Sequence, residues 1–283
     1  MDVLLINSPL FREKIENYDN DALPPLGLGY IATNLRSHGF DVELLDSVTE
    51  NLTPLEILQI VHKSKPRFLG LNIFTTNLSL VREIVELCAI DTTIIIGGPA
   101  SRHVYREVLC WQTSNPVNVV LGEGDYIVSD ILLKATREPP IYSSPNRQVY
   151  MVNKDSYYFP HDISNIPLDR SFFKKQPIKH KLGFTESHII TSRGCIYDCA
   201  YCGSARSLNR DLLVRERSAE SVFSELKHLN DIYLGLQSVR VLDDLFLKNL
   251  PSIEAAIGIF RESIWSGEVW LISSRLKTHQ MIR

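Results

Sequence analysis

Three of the five cysteines fall close together, at Cys195, Cys199 and Cys202, in the stretch TSRGCIYDCAYCGS. Thiolate is a soft ligand that suits iron and zinc. A structural zinc site usually has four ligands, often as two pairs, and this chain has one CxxxCxxC run without a second pair. His188 and His228 could complete a zinc site, but neither has a paired-ligand spacing. Three cysteines on a cubane leave one iron open for a substrate or cofactor, so the spacing favours a [4Fe-4S] cluster over zinc or three buried structural thiols.

A strand and a helix flank these cysteines. HIITSRG is predicted as a strand that runs directly into the first cysteine, and SAESVFSELKHLNDI as a helix with Ser218 as its N-cap. SVRVLDDLF follows as a strand that ends in Asp243 and Asp244. In (β/α) barrels the active site lies at the carboxyl ends of the strands, so both acids are candidate contacts of a cofactor or substrate. The alternative is that they cap the following helix, near the positive end of its dipole.

Two further elements continue this alternation. SIEAAIGIFRESIW is predicted as a helix and EVWLISS as a strand. Arg275, on the last strand, is a candidate substrate contact. The region therefore reads as part of a (β/α) barrel.

The first 135 residues alternate short apolar runs with amphipathic stretches. Strands that alternate with helices predict right-handed βαβ units and an α/β fold, here a doubly wound parallel sheet of flavodoxin-like order. The predicted strands are DVLLIN, DVELLD, RFLGLNI, TTIIIGG and VNVVLGEG. The predicted helices are LGLGYIATNLRSHG, PLEILQIVHKS, LSLVREIVELCA, RHVYREVLC and DYIVSDILLKA.

Residues 136–187 carry Pro, Ser, Asn and Lys without a sustained hydrophobic period. One hairpin is expected there, around QVYMVNKDSYY. A connector of this length is uncommon inside one compact domain, so the sequence predicts a domain boundary in this stretch. The predicted domains are residues 1–135, a doubly wound unit, and residues 188–283, a partial barrel.

The cysteine run and its surroundings resemble the radical S-adenosylmethionine enzymes. The resemblance rests on CxxxCxxC with an aromatic residue, Tyr201, before the last cysteine, and on the flanking TSRG, RERSAESVFSELKHL and VLDDLF. In that family the open iron chelates S-adenosylmethionine, and one electron cleaves the sulfonium to give a 5′-deoxyadenosyl radical. The resemblance implies that Tyr201 packs beside the cluster or the adenine, and that Arg193 and Gly194 shape the loop. The further implied cofactor contacts are Gly203, Asp243 and Asp244.

The first domain resembles the cobalamin-binding domain found in one large branch of that family. The resemblance rests on INSPL, LPPLGLGYIA, IIIGGPAS and VVLGEGD, and it covers roughly residues 1–135. In doubly wound folds ligands bind outside the carboxyl ends of the strands, and glycines let backbone approach a large flat ligand. The implied cobalamin contacts are Gly27, Gly97, Gly98, Gly122, Glu123 and Gly124.

Two other sequence patterns, one for dinucleotide binding and one for a histidine-ligated cobalt, fit this domain less well than the cobalamin resemblance does. Gly27, Gly29 and Ala32 fit the dinucleotide pattern G-x-G-x-x-A, but they follow LPP and not a strand, and they could simply permit tight helix–sheet packing. The D-x-H-x-x-G run by which mutase domains ligate cobalt is absent, since none of the eight histidines has an Asp two residues before it. Many relatives also carry a histidine soon after GGP, where this chain has Ala100 and Ser101. A histidine-ligated cobalt is therefore not expected.

Bulk composition argues against several classes of protein. The formal net charge of -3 gives no global basic field for nucleic acid. No apolar run is long enough to span a bilayer and no basic segment precedes the first apolar run, so the chain is predicted to be cytoplasmic. Cys88 and Cys110 lie far upstream of the cluster and are expected to be core thiols on helices, because cytosolic thiols stay reduced.

The resemblances imply an enzyme that binds a [4Fe-4S] cluster, S-adenosylmethionine and cobalamin. The implied reaction is methyl transfer to an unactivated carbon or phosphorus centre of a small molecule, with ring formation or rearrangement as the alternative. An external one-electron donor such as flavodoxin or ferredoxin is implied as a partner. A barrel of this family usually has more strand–helix units than are predicted here. This leaves open a truncated reading frame or fragment, a shortened barrel covered by the connector, and a partner chain that completes the barrel. The second class of function is a catalytically incomplete cofactor-binding protein.

Overall fold

A computed structural model describes residues 1–10, 23–179, 183–245 and 268–270 of the chain. The chain forms two compact units. One comprises Met1–Phe159 and Pro167–Phe173, and the other Pro160–Ile166 and Lys174–Arg283. The domain limits at residues 135 and 188 stay predictions. Among the described residues, no helix is long and apolar enough to cross a membrane.

In the described part of the first unit, five parallel strands alternate with five helices, and the sheet order is β2 (Val42–Asp46), β1 (Val3–Asn7), β3 (Phe68–Asn72), β4 (Thr93–Gly97) and β5 (Val117–Leu121). This is the predicted flavodoxin-like order, and the α/β fold class is confirmed. The elements are β1 (Val3–Asn7), α1 (Leu26–Ser37), β2 (Val42–Asp46), α2 (Pro54–Ser64), β3 (Phe68–Asn72), α3 (Leu78–Leu87), β4 (Thr93–Gly97), α4 (Ser101–Val108), β5 (Val117–Leu121) and α5 (Ile127–Leu133).

Local sequence explains where these elements begin and end. The strands are short Val-, Ile- and Leu-rich runs, and every residue of β1 and β5 is buried, as helices on both faces of a parallel sheet require. Helix α2 begins in a capping box, in which Thr53 and Glu56 each accept a hydrogen bond from the other's backbone N–H.

Of the two upstream cysteines, Cys88 is buried as expected, whereas Cys110 is exposed. The prediction for Cys110 was wrong because α4 ends at Val108 and the thiol falls in the turn beyond it.

A hairpin extends this sheet beyond the five strands. It consists of β6 (Tyr142–Ser144) and β7 (Arg147–Met151), and β7 pairs in parallel with β5. The predicted hairpin therefore exists but lies earlier in the chain, with QVYM inside its second strand.

The Tyr158 hydroxyl, beyond this hairpin, donates to Asp130 Oδ2 at 2.8 Å and accepts from Arg137 N–H at 2.7 Å. Burial, with the adjacent Asp130 carboxylate, raises the pKa of Tyr158 to about 12.

The returning segment Pro167–Phe173 packs against α1. Its 3₁₀ turn, Arg170–Phe172, follows Asp169, and the side chain of Asp169 accepts from Ser171 N–H. Asp169 also pairs with Arg36 of α1, whose guanidinium lies 3.7 Å from the centroid of the Phe172 ring. These contacts fix the segment to the outer face of the helix.

The second unit contains a four-stranded sheet of order β13-β12-β9-β8. Strands β9, β12 and β13 are parallel and β8 is antiparallel, and a separate two-stranded pair joins β10 to β11. The helix predicted after VLDDLF and Arg275 lie outside the described residues. The elements are β8 (Ile178–Lys179), β9 (Thr185–Ile189), β10 (Ser192–Arg193), β11 (Arg215–Glu216), α6 (Ala219–Ile232), β12 (Ser238–Val241) and β13 (Glu268–Trp270).

The two faces of this sheet differ in chemistry. Ile189, Val239 and Val241 form an apolar core with α6, which begins at the predicted N-cap Ser218, whose hydroxyl accepts from Ser221 N–H at 3.2 Å. On the opposite face, Glu186, His188 and Arg240 are buried and lie close together. Arg240 Nε lies 3.0 Å from Glu186 Oε1, and His188 Nε2 lies 3.5 Å from the same oxygen.

Candidate cofactor-binding sites

After β9, the chain enters the loop that carries the three cysteines, and the short antiparallel pair of β10 and β11 closes the base of this loop. Ser192 and Arg193 of β10 pair with Glu216 and Arg215 of β11, so the two ends of the loop are hydrogen-bonded to each other. Gly194 follows at φ +88°, in the left-handed region that favours glycine. A Cβ there would lie 3.3 Å from the Leu213 carbonyl oxygen. The β10–β11 pair thus leads the chain into the loop, and the role of Arg193 and Gly194 in shaping the loop stays a prediction.

Hydrogen bonds within the loop fix the backbone between the cysteines. Tyr197 N–H points at Cys195 Sγ at 3.4 Å, and Cys202 N–H donates to the Cys199 carbonyl at 2.9 Å. The Asp198 carboxylate accepts from the hydroxyl and N–H of Ser207, which hold the pKa of Asp198 below its usual value. The loop is therefore a folded structure with its own contacts.

The three cysteine thiols are free and partly exposed. Within the described residues, no group of three or more His, Cys, Asp or Glu side chains is placed to hold one metal ion. A cubane binds each cysteine through a different iron, so three separate thiols on one loop fit the donor set of a cluster. His188 is fully buried beside Glu186 and Gln176, and His228 is an exposed residue of α6.

Two carboxylates after β12 bind this segment at two places, Asp243 at the residue before β10 and Asp244 at a residue within the loop. Asp243 Oδ1 accepts from Thr191 N–H at 2.7 Å, and its other oxygen accepts from the Thr191 hydroxyl. Asp244 Oδ1 accepts from the Ser204 hydroxyl at 2.9 Å. Asp243 is buried, whereas Asp244 is exposed. Cofactor contact by Asp243 and Asp244 stays a prediction, and bracing of the loop is the contact that the structure displays.

Burial raises the pKa of Asp243 above 3.8, against the opposing hydrogen bonds from Thr191 and Ser192. The carboxyl thus binds its proton more tightly in the folded than in the unfolded chain, so stability falls as pH rises through the folded-state pKa. We expect Asp243→Asn to remove this loss. Thermal unfolding of both proteins from pH 4 upwards should show the wild type losing stability relative to the variant as pH increases. A difference that is constant with pH would contradict the assignment.

Tyr201 and Gly203 lie on the exposed side of the loop. Tyr201 is 83% exposed, so it does not pack into the core of the second unit. Gly203 has open space where a Cβ would stand, and its carbonyl accepts from Asn209 Nδ2 at 2.9 Å. Their predicted roles toward the cluster or the adenine stay predictions.

Glycine-bearing turns line the carboxyl edge of the first sheet, as the sequence predicts. Gly98 (φ +102°) follows β4 and Gly122 (φ +109°) follows β5. A Cβ on Gly98 would lie 2.8 Å from the backbone N and O of Ile73, and one on Gly122 would lie 2.1 Å from the Val152 carbonyl oxygen. These two glycines are therefore required by the fold itself. Gly97 is the last residue of β4, and Glu123 and Gly124 lie in the turn after β5.

The glycines of α1 have separate roles. A Cβ on Gly29 would lie 2.3 Å from Cζ of Phe173, so Gly29 serves the packing of the returning segment. Gly27 is exposed, and a Cβ there would meet nothing within 4 Å. The dinucleotide pattern thus lies inside a helix and lacks the strand–turn context that gives it meaning.

A buried polar network, which the sequence analysis missed, occupies the carboxyl ends of β1, β2 and β3. Asn72 Nδ2 donates to Asn7 Oδ1 at 3.0 Å, and Asn7 Nδ2 donates to Asp46 Oδ1 at 2.7 Å. Next to it, Ser8 Oγ and Asn77 Nδ2 are buried without a hydrogen-bond partner among the described residues. The available signal was the polar residue that ends each strand.

Comparison with known proteins finds one matching family model and several relatives. Residues 19–132 match the family model described as B12 binding domain. Over 98% of its length the chain is 28% identical to an uncharacterized methyltransferase of Pyrococcus horikoshii, of which it covers 61%. It is 25% identical, over 92% of its length, to cytidylyl-2-hydroxyethylphosphonate methyltransferase of Streptomyces wedmorensis, of which it covers 58%. The chain therefore spans about three fifths of the length of these relatives.

A solved structure shares the fold along nearly the whole chain. It is the cobalamin-dependent S-adenosylmethionine radical enzyme OxsB, with aqua-cobalamin and S-adenosylmethionine bound. The TM-score is 0.62 at 19% identity, and the match covers 95% of this chain and 38% of OxsB. Residues 19–132 thus match the model of a B12 binding domain, and along most of its length the chain is similar to proteins named as methyltransferases and shares the fold of a cobalamin-dependent S-adenosylmethionine radical enzyme.

Proposed function

We propose that this chain binds a [4Fe-4S] cluster, S-adenosylmethionine and cobalamin, and that it serves methyl transfer to an unactivated carbon or phosphorus centre of a small molecule. One observation carries the proposal. A sheet of flavodoxin-like order, matched by the B12 binding domain model, and a CxxxCxxC loop after a parallel strand occur in the same chain. Two relatives are named as methyltransferases, and a third, from Methylococcus capsulatus, as hopanoid C-3 methylase.

When bound, the cluster supplies an electron to cleave S-adenosylmethionine and cobalamin supplies a carrier for the methyl group. Cys195, Cys199 and Cys202 would hold the cluster and would leave one iron for S-adenosylmethionine. Asp243 accepts hydrogen bonds from the residue that precedes β10, and Asp244 accepts one from Ser204 within the loop that carries these thiols. An external one-electron donor of the flavodoxin or ferredoxin type completes the proposal.

In the first unit, the proposed function requires the backbone of the glycine-bearing turns to approach a flat ligand closely. Gly98 and Gly122 adopt positive φ at the ends of β4 and β5, where a side chain would collide with neighbouring backbone. The residues matched by the B12 binding domain model include both turns.

The test is an activity assay with the full chain, reconstituted anaerobically with iron and sulfide and then supplied with cobalamin, reductant and S-adenosylmethionine. We expect release of 5′-deoxyadenosine or S-adenosylhomocysteine that requires both cofactors. Cobalamin that stays free during gel filtration, or product formation that is equal with and without it, would contradict the proposal.

A further inference from the structure

The base of the cysteine loop is closed a second time, next to the β10–β11 pair, and Arg217 makes this closure. Arg217 is the first residue after β11, and its N–H donates to the Thr191 carbonyl at 2.9 Å. Its guanidinium reaches the preceding carbonyl, since Nη1 donates to the Ile190 oxygen at 3.0 Å. Ile190 and Thr191 join β9 to β10. The residue at the exit of the loop therefore holds the two residues at its entrance.

Two side chains of α6 orient the Arg217 guanidinium. Glu225 forms an ion pair with Nη1, and the Ser221 hydroxyl accepts from Nε at 3.1 Å and from Nη2 at 2.8 Å. The side chains of the ion pair are only 9% and 12% exposed, so solvent screens the pair little. A guanidinium presents its donors in a rigid planar fork, so these contacts together fix its orientation.

Part of the connector reaches the same arginine through Ser221. The Ser221 hydroxyl donates to the Ser164 carbonyl, and Ser164 lies in Pro160–Ile166, which belongs to the second unit. Arg215 of β11 likewise donates to the Pro160 carbonyl at 2.5 Å. This part of the connector therefore supports the base of the cysteine loop.

The contacts of Arg217 converge on the residues that lead to the cysteines. Asp243 accepts from the N–H of Thr191 at 2.7 Å, while Arg217 donates to the carbonyl of the same residue. Thr191 is thus held by β12 through Asp243 and by the start of α6 through Arg217, and Cys195 follows four residues later. Both contacts act on the backbone, so they fix where the loop begins whatever its side chains do.

We propose that Arg217 is a positioning residue for the proposed iron–sulfur cluster and its S-adenosylmethionine. It acts through the backbone of Ile190 and Thr191, which it holds so that the base of the loop is ordered before the cofactors bind. A loop that is ordered in advance loses less conformational entropy on binding, so its affinity for the ligand is higher. This inference rests on the proposed function and adds a residue that the cysteine motif does not contain.

Arg217→Gln and Arg217→Lys test the proposal in the full chain. Lysine keeps the positive charge beside Glu225 but lacks the fork that reaches Ile190 and Ser221 together. Because all three cysteines remain, both variants should still take up about four irons per chain. We expect about tenfold weaker affinity for S-adenosylmethionine, read from the concentration that gives half of the shift in the electron paramagnetic resonance signal. In the cofactor-free chain, hydrogen exchange of the backbone over residues 187–193 should be faster than in the wild type.

Arg147→Gln is the matched control. Arg147 also donates from its guanidinium to backbone carbonyls, but it lies in the first unit. Those carbonyls belong to Trp111, Thr113, Asn115 and Asn146. The control should lower thermal stability and leave the affinity for S-adenosylmethionine unchanged. Ser221→Ala is a milder variant that decides the question if the Arg217 variants do not fold, and it should weaken the affinity about twofold to threefold.

Four results would contradict one or the other part of the account. Wild-type affinity for S-adenosylmethionine in folded Arg217→Gln, or in Ser221→Ala where the Arg217 variants do not fold, would overturn the inference. Full affinity in Arg217→Lys would overturn it as well, because charge alone would then suffice. Equal weakening in Arg147→Gln would trace the effect to a general loss of stability. A wild-type chain that shows no cluster, or no shift with S-adenosylmethionine, would instead contradict the proposed function.

Discussion

Replacing Cys199 by Ala should abolish the iron–sulfur cluster. After anaerobic reconstitution, we expect iron to fall from about four per chain to below about one, with loss of the charge-transfer absorption of the cluster. The reason is that Cys199 lies between the other two cysteines on a single loop, and no His, Cys, Asp or Glu among the described residues is grouped with them to replace it. Iron and sulfide analysis with the visible spectrum measures the effect.

Cys110→Ala is the control for this experiment. Cys110 is also a free cysteine and is more exposed than those of the loop, but it lies in the first unit, after α4. The variant should reconstitute like the wild type. A Cys199→Ala protein that keeps a full cluster, or an equal loss of iron in both variants, would show that the loop cysteines are not the ligands.

Replacing Gly122 by Ala should destabilise the first unit severely. The residue has φ +109°, and the new Cβ would lie 2.1 Å from the Val152 carbonyl oxygen, a backbone atom that cannot rotate away. Strain at positive φ and overpacking each cost roughly 1–3 kcal/mol, so we expect a loss of about 3 kcal/mol or more in the free energy of unfolding. Because the turn follows β5 in the region matched by the B12 binding domain model, cobalamin binding should fall with it. Thermal unfolding by circular dichroism measures the first effect and cobalamin titration the second.

Gly27→Ala is the same substitution at a different site, and we expect it to stabilise the protein where Gly122→Ala destabilises it. Gly27 is in α1, where a Cβ meets nothing within 4 Å, so alanine should raise stability by about 0.5–1 kcal/mol. A stable Gly122→Ala protein would contradict the packing argument at β5. A Gly27→Ala protein that is stable but binds cobalamin poorly would support the predicted contact at Gly27.

The local pattern of apolar and polar residues was sufficient to predict the order of strands and helices in the first unit. The buried runs and amphipathic stretches of the first 135 residues predicted five strands and five helices in the observed order, because each apolar run is long enough for a strand but too short for a helix. Ser218 was recognised as an N-cap from its type and position alone. The hairpin of β6 and β7 was placed too late, because its pairing with β5 is a long-range contact that local sequence does not encode.

Side-chain partners were harder to predict than strand order. Asp243 and Asp244 were correctly placed at the end of a strand, but their bonds to Thr191 and Ser204 join residues about 40 to 50 positions apart. The buried cluster of Glu186, His188 and Arg240 likewise depends on the register of β9 against β12. Ser8 and Asn77 escaped notice because an unsatisfied donor is visible only once every neighbouring acceptor has been located.

The most direct test of the central claim is electron paramagnetic resonance of the anaerobically reconstituted, reduced full chain, before and after addition of S-adenosylmethionine. We predict about four irons and four sulfides per chain, and a cluster signal that shifts when S-adenosylmethionine binds the open iron. Uptake of zinc without a cluster, or a cluster whose signal is the same with and without S-adenosylmethionine, would contradict the account.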